Sequence, residues 1–211
     1  MIRFLRSFYR SHRIGLSAGK TLLWIWVKND LPKIKGEIGI DLAGGRMFNK
    51  RFFRTKKYIC VDIDKNELRL GKKDNPDAII INKKIQNFLR EKNKVKANIL
   101  VCFQTMGTNR FFKHNESIDV IKLMYKYLET GGSMFFNIAW EKNINKIESE
   151  LFAFFDKKFV KINYKYYGAF HKTLPRLISF TLAYLMYFFP LLRTLFGLRK
   201  HRLYYHCYKK L

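Results

Sequence analysis

Residues 38 to 50 read IGIDLAGGRMFNK, and RFFRTKKYIC then carries the chain to VDID at 61 to 64. An apolar run, a small-residue turn and a second apolar run ending in a carboxylate are the parts of a ligand site at the edge of a parallel sheet. Glycine has no Cβ and reaches positive φ at little cost, so Gly44 and Gly45 let backbone N–H groups approach a ligand closely. The turn after the first run is therefore a candidate cofactor site, and the second carboxylate its partner.

The same alternation continues on both sides. Apolar runs at 37 to 42, 57 to 62, 77 to 82, 98 to 103 and 133 to 138 alternate with segments of helical character at 47 to 54, 65 to 72, 84 to 92, 115 to 129 and 143 to 156. Runs buried on both faces and joined by crossovers predict a doubly wound α/β fold around a parallel sheet. Gly131-Gly132 marks a helix stop before the fifth run. After residue 157 the pattern changes to two β-rich runs, FVKINYKYY at 159 to 167 and RLYYHCYKK at 202 to 210, with an apolar insert at about 172 to 200 between them.

The chain has 211 residues, 48% of them hydrophobic, enough for one substantial core. We read residues 1 to 35 as a basic amphipathic N-terminal segment and 36 to 211 as the domain. Cys60, Cys102 and Cys207 sit singly in apolar runs, which fits reduced, buried thiols in a cytosolic protein rather than a disulfide framework or a zinc site. The formal charge of +26 points to an anionic partner, phospholipid or nucleic acid. Arginines at 3, 6, 10 and 13 alternate with apolar residues in a helix-like pattern that suits a membrane surface or packing on the domain, and the N-terminus lacks the form of an export signal. LLWIWV at 22 to 27 is too short to span a bilayer, and the uncharged stretch Leu177 to Leu192 is interrupted by Pro190. That stretch is a helical cover over the site, part of a core, or a monotopic segment dipping into one leaflet, the last being our leading reading. Together these features place the protein in the cytoplasm, peripheral on the inner face of a membrane.

A dinucleotide would call for G-x-G-x-x-G, but the corresponding positions are Ala43, Gly45 and Phe48, and no G-x-x-x-x-G-K-[ST] run exists for a nucleoside triphosphate. Asp62-Ile63-Asp64 is a D-x-D of the kind that holds a divalent metal in nucleotide-sugar glycosyltransferases, which keeps that enzyme class open.

DLAGG at 41 to 45 resembles the D-x-G-x-G turn of class I S-adenosylmethionine-dependent methyltransferases, YICVDIDKNEL at 58 to 68 their second strand and next helix, NILVCFQTM at 98 to 106 their fourth strand, and YLETGGSMFFNIA at 127 to 139 their turn into strand five. The resemblance implies a Rossmann-like sheet of seven strands, the last antiparallel and inserted through a hairpin. It also implies S-adenosylmethionine as cofactor, with Asp41, Ala43 and Gly45, and Gly44 in the same turn, around its methionine portion. Asp62 would accept the ribose hydroxyls, with Ile63 beside it, and Asn82 would bond the base. Phe103, Gln104 and Thr105 would border the cofactor and the reacting methyl. Two departures stand out: Ala43 replaces a family glycine, and Asn82, Lys83 and Lys84 follow strand three where an acidic residue is common.

Methyl transfer needs alignment more than proton chemistry, and where the acceptor is a hydroxyl a general base helps. His171, beside the apolar insert, is the first candidate and His114 the second; no metal is required. The acceptor expected from the basic and apolar segments is lipid-linked or otherwise membrane-proximal, such as a polyprenyl-borne glycan or a quinone precursor. RNA methylation and a non-catalytic, membrane-associated protein that retains the fold are the other readings.

Overall fold

The last four residues of strand β1 (Lys35–Leu42) are all buried, as in a strand covered on both faces. The computed structural model describes residues 17–91, 95–107, 112, 114–139, 144–166, 176–192 and 202–210. The other strands are β2 (Arg54–Asp62), β3 (Ile79–Asn82), β4 (Ala97–Gly107), β5 (Leu128–Ala139), β6 (Phe159–Tyr166) and β7 (Arg202–Lys209). They form one seven-stranded sheet in the order β3-β2-β1-β4-β5-β7-β6. The first five pair in parallel, while β7 runs antiparallel to both β5 and β6. This is the sheet that the resemblance implies, reversed last strand included.

Among the described residues the helices that cover the sheet are α1 (Ala18–Asp30), α2 (Lys65–Asp74), α3 (Ile85–Arg90), α4 (His114–Tyr127), α5 (Ile144–Lys158) and α6 (Arg176–Phe188). Successive strand residues face opposite ways, so each strand feeds two cores. Leu100, Cys102, Met134 and Phe136 pack under α3, α4 and α5. Ile99, Val101, Phe103 and Phe135 pack under α1, α2 and α6.

Helix α1 starts at Ser17, whose side chain accepts the Lys20 N–H. It buries Leu22, Leu23, Trp26 and Val27, so LLWIWV belongs to the core. The expected boundary at residue 35 therefore moves: from Ser17 onward the chain is part of the domain. At the far end of the helix, the Asp30 carboxylate accepts from Lys165 Nζ at 2.8 Å and Tyr204 Oη at 3.3 Å. Asn29 Nδ2 donates to Tyr187 Oη at 3.0 Å and ties α1 to α6. No helix among the described residues is long and apolar enough to cross a membrane. The expected helix-like segment with arginines at 3, 6, 10 and 13 lies outside the described residues.

One predicted helix is absent. Residues 47 to 54 form turns and a short 3-10 segment, Lys50–Phe52, before β2 begins at Arg54. Met47 sits at φ 61°, a conformation that cannot continue an α-helix. The Asn49 side chain is drawn inward to Asp41 at 3.0 and 3.1 Å, which fixes the turn. The expected helix at 84 to 92 is also shorter, ending at Arg90.

Candidate functional site

Between the carboxyl ends of β1, β2 and β4 lies a cavity of about 600 Å³, within the range for small-ligand sites. It sits where the strand order reverses, with β2 to one side of β1 and β4 to the other, the usual crevice in open α/β sheets. Three local devices shape it.

The first is the turn after β1. Ala43 lies at φ 56° and Gly45 at φ 47°, both left-handed. At Gly45 this backbone conformation is the requirement, since a Cβ would meet only ordinary contacts. Gly44 is constrained by packing instead: a Cβ there would stand 2.7 Å from Cys60 Sγ and 2.8 Å from Asp41 Oδ2. Ala43 and Gly45 line the cavity, whereas Gly44 faces the interior behind it.

The second device is the end of β2. Asp62 Oδ2 accepts the Gly45 N–H at 2.9 Å, and Oδ1 accepts the Asp64 N–H at 2.8 Å. These bonds fix the carboxylate's orientation while leaving each oxygen a further lone pair for a ligand. The Gly45 N–H expected to meet a ligand is thus spent on Asp62. Asp64 caps α2, accepting from the Asn66 and Glu67 N–H groups. The two carboxylates of the D-x-D are therefore held by backbone bonds, and the described residues contain no group of three or more metal-ligating side chains.

The third is a bulge in β4. Cys102 pairs with Phe136 and Met106 with Ile138, so Phe103, Gln104 and Thr105 face a single residue of β5, Asn137. Gln104 is at φ 63°, and its N–H donates to Asn137 Oδ1 at 2.7 Å. The bulge turns Phe103, Gln104 and Thr105 to the cavity. Behind it, Cys102 Sγ and Thr105 Oγ1 lie 3.0 Å apart.

The cavity thus brings together Ala43, Gly45, Asp62, Ile63, Phe103, Gln104 and Thr105. Besides Gly44, two cofactor candidates lie elsewhere. Asp41 is wholly buried and accepts from Tyr58 Oη at 2.7 Å and from Asn49, so it is a prop behind the turn. Burial pushes its pKa up to about 7, against the opposing pull of the Tyr58 and Asn49 bonds. Asn82 is exposed and donates to the Asp62 and Ile63 carbonyls at 3.0 and 2.9 Å, bracing the end of β2. His114 opens α4, two residues beyond the cavity-lining Phe112, and His171 lies outside the described residues.

Sequence reasoning missed Asn137, a lone amide in the apolar run MFFNIA. It also missed Glu67, Ile85, Gln86 and Phe112, which complete the lining with Lys84. The described lining carries three carboxylates, Asp62, Asp64 and Glu67, the last paired with Arg46 Nε at 2.9 Å, against one ammonium, Lys84. That is an acidic recess in a protein of charge +26.

Neither a family model nor a curated protein matches the sequence. Solved structures do. An rRNA methylase from Streptococcus thermophilus aligns over 89% of this chain and 93% of its own, with a TM-score of 0.51 at 12% identity. The N-methyltransferase NodS from Bradyrhizobium japonicum WM9 aligns over 92% and 94%, with a TM-score of 0.54 at 10% identity. The plantazolicin methyltransferase BpumL, solved with a monoazolic desmethylPZN analog and SAH, aligns over 99% and 90%, with a TM-score of 0.57 at 12% identity. In strand order, reversed last strand and likeness to these structures, the chain has the class I methyltransferase fold.

Proposed function

We propose that this chain is an S-adenosylmethionine-dependent methyltransferase acting on a lipid-linked or otherwise membrane-proximal acceptor. The acidic lining of the cavity is the observation that carries the cofactor half. A phosphate-bearing nucleotide would be repelled by Asp62 and Asp64, which no cationic side chain pairs within the described residues, whereas a sulfonium with an amino-acid ammonium is attracted by them. The volume suits a nucleoside with a short tail, and neighbours of the same fold carry SAH.

When bound, the cofactor supplies an already activated methyl group. The chain's part is to grip and to align. Asp62 offers its remaining lone pairs to the ribose hydroxyls, and the left-handed turn Ala43 to Gly45 shapes the wall for the methionine portion. Ile63 and Phe103 supply apolar walls, and the bulge residues Gln104 and Thr105 border the space where an acceptor enters. Should the acceptor need a base, His114 and His171 are the candidates.

The membrane half rests on the charge of +26 and on apolar side chains left exposed near the C-terminus. RNA is the competing acceptor, favoured by the same charge and by the rRNA methylase among the structural neighbours. Calorimetry with S-adenosylmethionine, NAD, and a UDP-sugar with manganese tests the cofactor. We expect binding of the first alone, weakened at least tenfold in Asp62→Asn with an unchanged circular dichroism spectrum. Equal affinity in that variant would remove the ribose assignment. Incubation with labelled methyl donor, followed by separate extraction of lipid and RNA, decides the acceptor.

A further inference from the structure

Helix α6 is apolar on both sides. Its inner side buries Ser179, Ala183 and Met186 against the domain. Its outer side presents Leu177, Ile178, Tyr184, Leu185 and Phe188, with Leu177 78% and Phe188 67% exposed. Spacings of one, three, four and seven put these residues in one stripe along the helix. Thr181, also on the stripe, donates its hydroxyl to the Leu177 carbonyl at 3.0 Å, so its donor is satisfied within the helix. An exposed apolar stripe of this size marks an interaction surface.

The charge distribution selects the partner. All 16 acidic residues lie between Asp30 and Asp156, while Lys and Arg recur through both flanking stretches. Those stretches supply α1 and α6, which pack side by side and have Asp30 as their one acidic residue. Asp30, closing α1, is paired with Lys165 and Lys33. Lys20 and Lys28 of α1 are exposed. A cationic layer with an apolar ridge complements an anionic lipid surface; a polynucleotide would use the cations but leave the ridge in water.

We propose that the outer stripe of α6 inserts into the headgroup and acyl boundary of an anionic phospholipid leaflet. With 13 residues the helix is about 20 Å long, short of the ~30 Å hydrocarbon core, so it lies in the plane of the leaflet. The layer that carries α6 borders the cavity: Trp24 of the neighbouring α1 meets the cavity-lining Phe103 edge-on, with ring centroids 6.2 Å apart. An acceptor anchored in lipid would thus be delivered beside the site. This inference rests on the membrane-proximal part of the proposed function and is independent of the cofactor.

The test uses the full chain and vesicles of phosphatidylcholine with phosphatidylglycerol, or phosphatidylcholine alone. The native thiols Cys60, Cys102 and Cys207 are all buried, so Phe188→Cys can be labelled selectively with an environment-sensitive dye. The protein should float with the anionic vesicles, and the dye emission should shift to the blue and stay shifted at about 0.5 M salt, where surface charge is screened. Leu185→Glu combined with Phe188→Glu should retain less than a tenth of the wild-type partitioning. Flotation with an unshifted dye, or undiminished flotation of the double variant, would overturn insertion by α6 while leaving membrane proximity standing. No flotation, with binding to single-stranded RNA or self-association through this face instead, would overturn both.

Discussion

Raising the pH should weaken this fold, because Asp41 must then ionise inside it. Its carboxyl is fully buried, and that burial lifts its pKa from 3.8 to about 7; hydrogen bonds from Tyr58 and Asn49 oppose the rise, and the negative charge of Asp62 adds to it. In the unfolded chain the group titrates near 3.8. Between the two values the native state holds a proton that the unfolded state has lost. The contribution of this group is therefore fully present below about pH 4, is lost as the pH rises to about 7, and is level above that. About three units at 1.36 kcal/mol each give about 4 kcal/mol, a large part of the 5–15 kcal/mol typical of a domain. Asp41→Asn keeps the shape and removes the charge. Its carbonyl can accept from Tyr58, and a half-turn of Asn49 would offer the new amide the Asn49 Oδ1, which is buried without a partner. Urea unfolding followed by tryptophan fluorescence, at about pH 5 and about pH 8, compares the two proteins. The variant should lose most of the slope and be the more stable at the higher pH. Titration of other groups, the histidines included, is common to both proteins and cancels in the difference. A stability difference that stays constant between the two pH values would refute the assignment of the slope to Asp41.

Ala43→Gly should raise stability by up to about 1 kcal/mol, because Ala43 pays for a Cβ at φ 56° where glycine does not; a lower melting temperature would contradict this. Asn137→Ala should cost about 1–3 kcal/mol by leaving the Gln104 N–H without its acceptor. Because the bulge carries cavity residues, the same variant should also weaken S-adenosylmethionine binding in calorimetry. Lost stability with unchanged affinity would limit Asn137 to a purely structural role.

The sheet was legible because its signal is local and repeated. Each central strand is an apolar run covered on both faces, and five such runs separated by helical stretches admit few arrangements. The reversed strand followed from the family resemblance rather than from β7 itself, whose sequence RLYYHCYKK gives no direction. The segment after β1 was misread for a physical reason: MFNKRFFR alternates apolar and basic residues much as an amphipathic helix does. What prevents the helix is distant, the pull of the Asp41 carboxylate on Asn49 and the left-handed Met47. The insert was half legible. Its lack of charge was plain, but that its inner side packs on α1 while its outer side stays bare is a property of the assembled layer.

The site divides along the same line between local and assembled information. Strand ends carry their signal in the chain, so the turn at Ala43 and Gly45, the carboxylate of Asp62 and the run Phe103 to Thr105, picked out through the family resemblance, all lie on the cavity wall. Asp41 was misassigned because a carboxylate next to a glycine turn reads the same whether it faces a ligand or the interior; only Tyr58 and Asn49, closing on it from β2 and the loop, decide the matter. Asn137 shows the converse. An amide within MFFNIA is costly to bury unless something receives it, and the receiver is the backbone of a bulge on the neighbouring strand. A polar residue inside an otherwise apolar central strand is thus a signal in its own right: it implies that the adjacent strand departs from its ladder at that level. In this sheet the departure occurs at the carboxyl edge, where β1 has ended and β4, paired on that side only with β5, continues into the wall of the cavity.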